Sequence, residues 1–168
     1  LTRWDRVSSI RVMLGLPLLE HRVRKALRAS WIADYSHFAG LWLRASERMQ
    51  SDPGVAEGLM SSVDGRLVCA TAANVFVVRD GRLLTPDIRD CGVAGVMRGL
   101  VLEAARELSL PAEVVDLRAA DLDGADEVFL TNAITGVRPV GEVLGLRCYT
   151  APGPVTRVLL EATSRAGT

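Results

Sequence analysis

Short apolar runs alternate with turn-forming dipeptides between Glu57 and Arg98, and this is the densest pattern in the chain. Residues 57–62 are largely apolar, and Val63-Asp64-Gly65-Arg66 follows them. Asp-Gly between two apolar runs predicts a two-residue hairpin. Both central positions of that turn need positive φ, which Asp and Gly tolerate best. Residues 67–70 form the returning strand. Ala72-Ala73-Asn74 interrupts, and Val75-Phe76-Val77-Val78 predicts a β-branched and aromatic strand. A second Asp-Gly turn, Asp80-Gly81, leads into Leu83-Leu84-Thr85, which Pro86 ends because it cannot donate to a ladder. The expected product is a meander of antiparallel strands. A helix then opens within residues 92–98 and runs to about Leu108, with Val96, Leu100, Val101, Ala104 and Leu108 at helical spacing.

The flanks are simpler. Residues 6–16 carry Val7, Ile10, Val12 and Leu14, a strand followed by Pro17. Helical periodicity covers residues 18–33 and 37–50, and Ser51-Asp52-Pro53-Gly54 is a loop. Downstream the pattern predicts a strand over 112–117, a short helix or turn over 118–123 and a buried strand over 128–131. A strand pair turns around Gly145, and a last helix spans 155–164 with Val158, Leu159 and Ala162 facing inward.

Composition narrows the function classes. The 168 residues suit one domain with a sizeable core. Twenty basic residues balance twenty acidic ones, which gives no support for binding nucleic acid. No apolar stretch is long enough to span a membrane, and the first residues lack a signal-peptide pattern. Cys69, Cys91 and Cys148 share no metal-ligand spacing and read as reduced thiols of a cytoplasmic protein. His21 and His37 are too few for a metal cluster.

Gly92 and Gly95 at the helix entry admit two readings. Small residues there allow close packing; they also let backbone approach an anion, which first-turn N–H groups and the helix dipole favour.

Three stretches taken together are more specific. Val68-Cys69-Ala70-Thr71-Ala72-Ala73-Asn74-Val75-Phe76, Leu84-Thr85-Pro86 and Gly92-Val93-Ala94-Gly95-Val96-Met97-Arg98 resemble the class IV pyridoxal-phosphate enzymes. Ala125-Asp126-Glu127-Val128-Phe129-Leu130-Thr131-Asn132-Ala133 and Gly136-Val137-Arg138-Pro139-Val140 resemble that family's last signature. Glu57-Gly58-Leu59-Met60 and Thr131-Asn132-Ala133 look most like its 4-amino-4-deoxychorismate lyase branch.

The resemblance implies an α/β (α+β) fold, a curved mixed sheet or open barrel flanked by helices. It implies pyridoxal 5'-phosphate as cofactor, a small amino substrate and a homodimer. Cys69, Thr71, Asn74, Val96, Met97, Asn132 and Ala133 would lie at the cofactor. Residues 51–168 would be the cofactor-binding domain and residues 1–50 a poorly matched lead-in. No counterpart of the family's N-terminal domain is expected, so the chain reads as a fragment or a truncated paralogue.

The family also needs a lysine whose amine joins the cofactor and then shuttles a proton. Lys25 is the sequence's single lysine. It is either that base or an ordinary solvated lysine on a basic helix face, and the expected position falls nearer Ser36. Cys69 stands where many family members carry a Glu that pairs with the cofactor's ring nitrogen; it is otherwise a small buried strand residue. Asn132 either contributes to phosphate binding or caps a turn. Three functions follow: a lyase making 4-aminobenzoate and pyruvate, an aminotransferase for branched-chain or D-amino acids, or an inactive homologue.

Overall fold

In the strand of residues 74–79, Val75 and Val77 point into one apolar cluster and Phe76 and Val78 into another. Both faces are covered, so the run is almost continuously apolar. The computed structural model describes residues 10–17, 54–62, 64–89 and 92–165. The helices expected over 18–33 and 37–50, with Lys25, Ser36 and Cys91, lie outside the described residues.

Ten strands appear among the described residues: β1 (Ile10–Pro17), β2 (Glu57–Ser61), β3 (Arg66–Ala70), β4 (Asn74–Arg79), β5 (Arg82–Pro86), β6 (Ala112–Val115), β7 (Leu117–Arg118), β8 (Glu127–Asn132), β9 (Gly136–Val143) and β10 (Arg147–Cys148). Three helices accompany them among the described residues: α1 (Val96–Glu107), α2 (Ala119–Asp123) and α3 (Pro154–Arg165). The sheet order is β6-β5-β4-β8-β9-β1-β2-β3-β7, with β10 on β9. β1 runs parallel to both neighbours, pairing Val12 with Glu57 on one side and with Val143 on the other. The two ends of this path, β6 and β7, are consecutive in the chain and separated by Asp116 alone. The sheet therefore curls round on itself as an open barrel, as the family resemblance implies.

The inner cluster gathers Ile10, Val12, Leu59, Leu67, Leu117, Leu122, Val128, Leu130 and Val140 from both halves of the sheet. The outer cluster lies beneath α1 and α3. There Phe76 and Phe129 stack with ring centroids 5.0 Å apart, packed with Val101, Ala105 and Leu159.

Four expectations need correction. Residues 57–86 form two hairpins, not one meander: β3 pairs with β2 and β7, whereas β4 pairs with β5 and β8. The Asp80-Gly81 turn has both residues at positive φ, 51° and 70°, but at Asp64-Gly65 only Gly65 does. There Ser62 accepts the Gly65 N–H on its carbonyl and the Arg66 N–H on its hydroxyl, so the loop is longer than a two-residue turn. Residues 112–117 are not one strand, because the chain passes between the barrel's two ends at Asp116. Val158, expected to face inward, is exposed, as are Val96 and Leu108 at the helical spacing of α1; Val101, Ala104, Ala105 and Leu159 make the buried stripes.

Candidate active site

β3 and β4 do not pair with each other, so residues 71–73 carry the chain from one set of strand partners to the other. The crossing is tied down locally. Ala70 donates to the Ala73 carbonyl at 2.7 Å, and Thr71 donates through its backbone to the Gly58 carbonyl at 2.9 Å. One wall of a pocket of about 260 Å³ is this crossing; Val93, Gly95 and Val96 at the α1 entry and Thr131, Asn132 and Ala133 at the end of β8 form the others.

Asn74 organises the junction. Its Nδ2 donates to the Val93 carbonyl at 2.7 Å and its Oδ1 accepts the Gly95 N–H at 3.0 Å. The strand register sets Asn74 directly opposite Thr131. α1 is then held on β5 through its first turn: Arg98 Nε donates to Thr85 Oγ1 at 3.3 Å and Nη2 to the Pro86 carbonyl at 3.1 Å. Burial pulls the Arg98 guanidinium below its ordinary value, against the opposing pull of Asp87.

Six residues singled out in the sequence meet here: Cys69, Thr71, Asn74, Val96, Asn132 and Ala133 all line the pocket. Met97 does not; its side chain packs against the outer cluster. Cys69 is buried on β3 beside Met60 and Val68. Asn132 also caps the β8–β9 turn, its Oδ1 accepting the Ile134 N–H at 3.0 Å and the Thr135 N–H at 2.7 Å. Sequence reading missed Thr131 as a pocket residue in its own right. Its signal was a polar side chain ending an apolar strand run.

Two observations test whether these residues suit a phosphorylated cofactor. Thr131 is 1% exposed, and its hydroxyl has no hydrogen-bond partner among the described residues. Gly95, the N-cap of α1, leaves the first turn without a side-chain cap, and that turn holds no acidic residue. A buried hydroxyl without a partner is rare, and an uncapped helix N-terminus favours an anion. No charged side chain lines the pocket among the described residues. The donor set therefore fits a phosphate group.

Residues 40–143 match the family described as amino-transferase class IV. The chain belongs to this family. Pyridoxal 5'-phosphate is the family's cofactor, and the class IV neighbours include structures that hold it. The chain is 38% identical over 88 residues to the aminodeoxychorismate lyase of Vibrio harveyi, covering 52% of this chain and 32% of that one. It is 33% identical over 104 residues to a probable branched-chain-amino-acid aminotransferase of Thermotoga maritima, covering 61% and 38%. Among solved structures, the 4-amino-4-deoxychorismate lyase of Pseudomonas aeruginosa overlays with a TM-score of 0.67 at 34% identity, covering 94% of this chain and 54% of that one. The branched-chain aminotransferase of Thermobaculum terrenum, in its PLP form, overlays with a TM-score of 0.82 at 24% identity, covering 99% and 53%. The class IV chain thus spans about a third of the curated relatives it matches and about half of the solved ones.

Proposed function

We propose that this chain supplies the cofactor-binding part of a pyridoxal-phosphate-dependent lyase that converts 4-amino-4-deoxychorismate to 4-aminobenzoate and pyruvate. The observation that carries the cofactor site is the meeting of the Thr131 hydroxyl and the uncapped α1 N-terminus on one pocket. The lyase reading is supported by the 38% and 34% identities to two lyases and by Thr131-Asn132-Ala133.

In this reading the backbone of Val96 and Met97 and the Thr131-Asn132-Ala133 segment hold the phosphate. Cys69, Thr71 and Asn74 form the wall against the ring. Bound pyridoxal phosphate supplies an electron sink beside the carbon that bears the substrate amine. Lys25 takes the proton from that carbon. The C–O bond to the enolpyruvyl group would then break, the ring would become aromatic, and the departing enolate would take back a proton from Lys25 to become pyruvate. Residues 51–168 act as the cofactor-binding domain together with β1 from the lead-in of residues 1–50, which completes its sheet, in a cytoplasmic homodimer.

A second reading is a branched-chain aminotransferase. It is favoured by the longer matches to those enzymes, 104 and 114 residues against 88 for the lyase.

One experiment separates them. The purified chain is mixed with pyridoxal phosphate, its absorbance is recorded, and the adduct is fixed with borohydride and mapped. Reduced cofactor on Lys25, with 4-aminobenzoate formed from 4-amino-4-deoxychorismate, is the expected result. Consumption of a branched-chain amino acid dependent on 2-oxoglutarate would favour the aminotransferase. Free-aldehyde absorbance with no adduct would leave the fold and remove the chemistry from this chain.

A further inference from the structure

The wall built by the crossing segment carries no charge, but a charge stands behind it. Glu57, the first residue of β2, is 8% exposed and does not line the pocket. Its Oε2 accepts from the Thr71 hydroxyl and, at 3.3 Å, from the Ala72 N–H. No cation pairs with Glu57 among the described residues. A buried carboxylate is unfavourable unless donors meet it, and here the two donors among the described residues come from one wall of the pocket.

We infer that Glu57 is a positioning residue for this pocket. The Thr71 hydroxyl has a single proton, and giving it to Glu57 fixes the side-chain rotamer. The Ala72 N–H turned toward Glu57 fixes the whole peptide plane, because a trans peptide points its carbonyl opposite to its N–H. Glu57 therefore determines which polar edge the Thr71–Ala72 peptide presents. The Gly58 carbonyl, next along β2, holds the Thr71 N–H from the same side. The start of β2 thus acts as a two-point clamp on the segment that follows β3. Neither composition nor spacing marks Glu57 for this task, since its partners lie fourteen and fifteen positions away.

The consequence for function rests on the reading that the pocket holds pyridoxal phosphate, so the test has two independent readouts. Amide hydrogen exchange is measured without cofactor for wild type, Glu57→Ala and Glu57→Gln, and pyridoxal phosphate is titrated by absorbance into each. In Glu57→Ala, exchange at Thr71 and Ala72 is expected to accelerate by about 100-fold while β4 stays within about threefold of wild type. Cofactor affinity is expected to fall about tenfold. Glu57→Gln keeps a carbonyl acceptor in place and should recover most of the protection and bring affinity within about threefold of wild type. Unchanged exchange in Glu57→Ala would overturn the inference. So would acceleration spread evenly through β4, which would mark a general loss of stability. If wild type takes up no pyridoxal phosphate, the cofactor reading falls, and the exchange pattern alone decides the role of Glu57.

Discussion

Asn74 Oδ1 accepts the Gly95 N–H at 3.0 Å, and a Cβ on Gly95 would stand 2.5 Å from that same oxygen. The hydrogen bond and the absent side chain are one device: Asn74 reaches the helix entry because Gly95 leaves room for it. Gly95→Ala should push Asn74 aside, cost about 1–3 kcal/mol of stability as an overpacking change, and weaken pyridoxal phosphate binding by displacing Val96. Thermal unfolding and cofactor titration of the same variant check both parts.

Thr131→Val gives effects of opposite sign. It removes a buried hydroxyl that has no partner among the described residues and keeps the shape. Without cofactor the variant should be as stable as wild type or more stable by up to about 1 kcal/mol. With pyridoxal phosphate it should bind about tenfold more weakly, the loss of one hydrogen bond. Urea unfolding with and without cofactor would show the curves crossing; parallel losses would sink the phosphate assignment.

Glu127 and Gly153 anchor α3. Glu127, buried on β8, accepts the Val155 and Thr156 N–H groups at 2.9 and 2.8 Å. A Cβ on Gly153 would meet its Cδ at 2.2 Å. Both Glu127→Ala and Gly153→Ala should destabilise by about 2–4 kcal/mol, one by stranding buried amides and the other by driving a Cβ into the Glu127 side chain. Additivity of the double variant is the check, because residues acting through one contact should fall well short of the sum.

Tyr149 gives a pH signature. Burial pushes its phenol up to about 12, and its hydroxyl donates to the Leu122 carbonyl at 2.6 Å. The folded state favours the neutral form. The stabilisation is therefore complete below about pH 10, the unfolded value, and is lost as pH rises from there through 12. Tyr149→Phe should lack this step. Denaturation midpoints of the two proteins between pH 8 and 12 would show it.

Much of the fold was legible because β-period and helix-period patterns report burial directly. Asp80-Gly81 behaved as its composition demands. Asp64-Gly65, the same dipeptide, did not, because the Ser62 hydroxyl and carbonyl claim the Arg66 and Gly65 amides and lengthen the loop. Strand partners were harder to read. Nothing local in Leu67 or Val75 shows that β3 and β4 part company, since that depends on β7 and β8, distant in sequence. The pocket residues Cys69, Thr71, Asn74, Val96, Asn132 and Ala133 stood out through family resemblance. Thr131 and Glu57 required coordinates, because an unmet hydroxyl and a hidden carboxylate are facts of packing.

β1 sits in the middle of the strand order, pairing residue 12 with residues 57 and 143 at once. It is a keystone laid near the beginning whose second abutment is made near the end. Ribosomal synthesis would deliver β1 about 130 residues before β9, leaving an unpaired parallel edge in the interval. Assembly should therefore be slow for a chain of this length, and interruptions after β8 should yield material prone to edge-to-edge association. Refolding kinetics of Val12→Ala, which weakens the keystone without touching the pocket, would report how late that closure occurs.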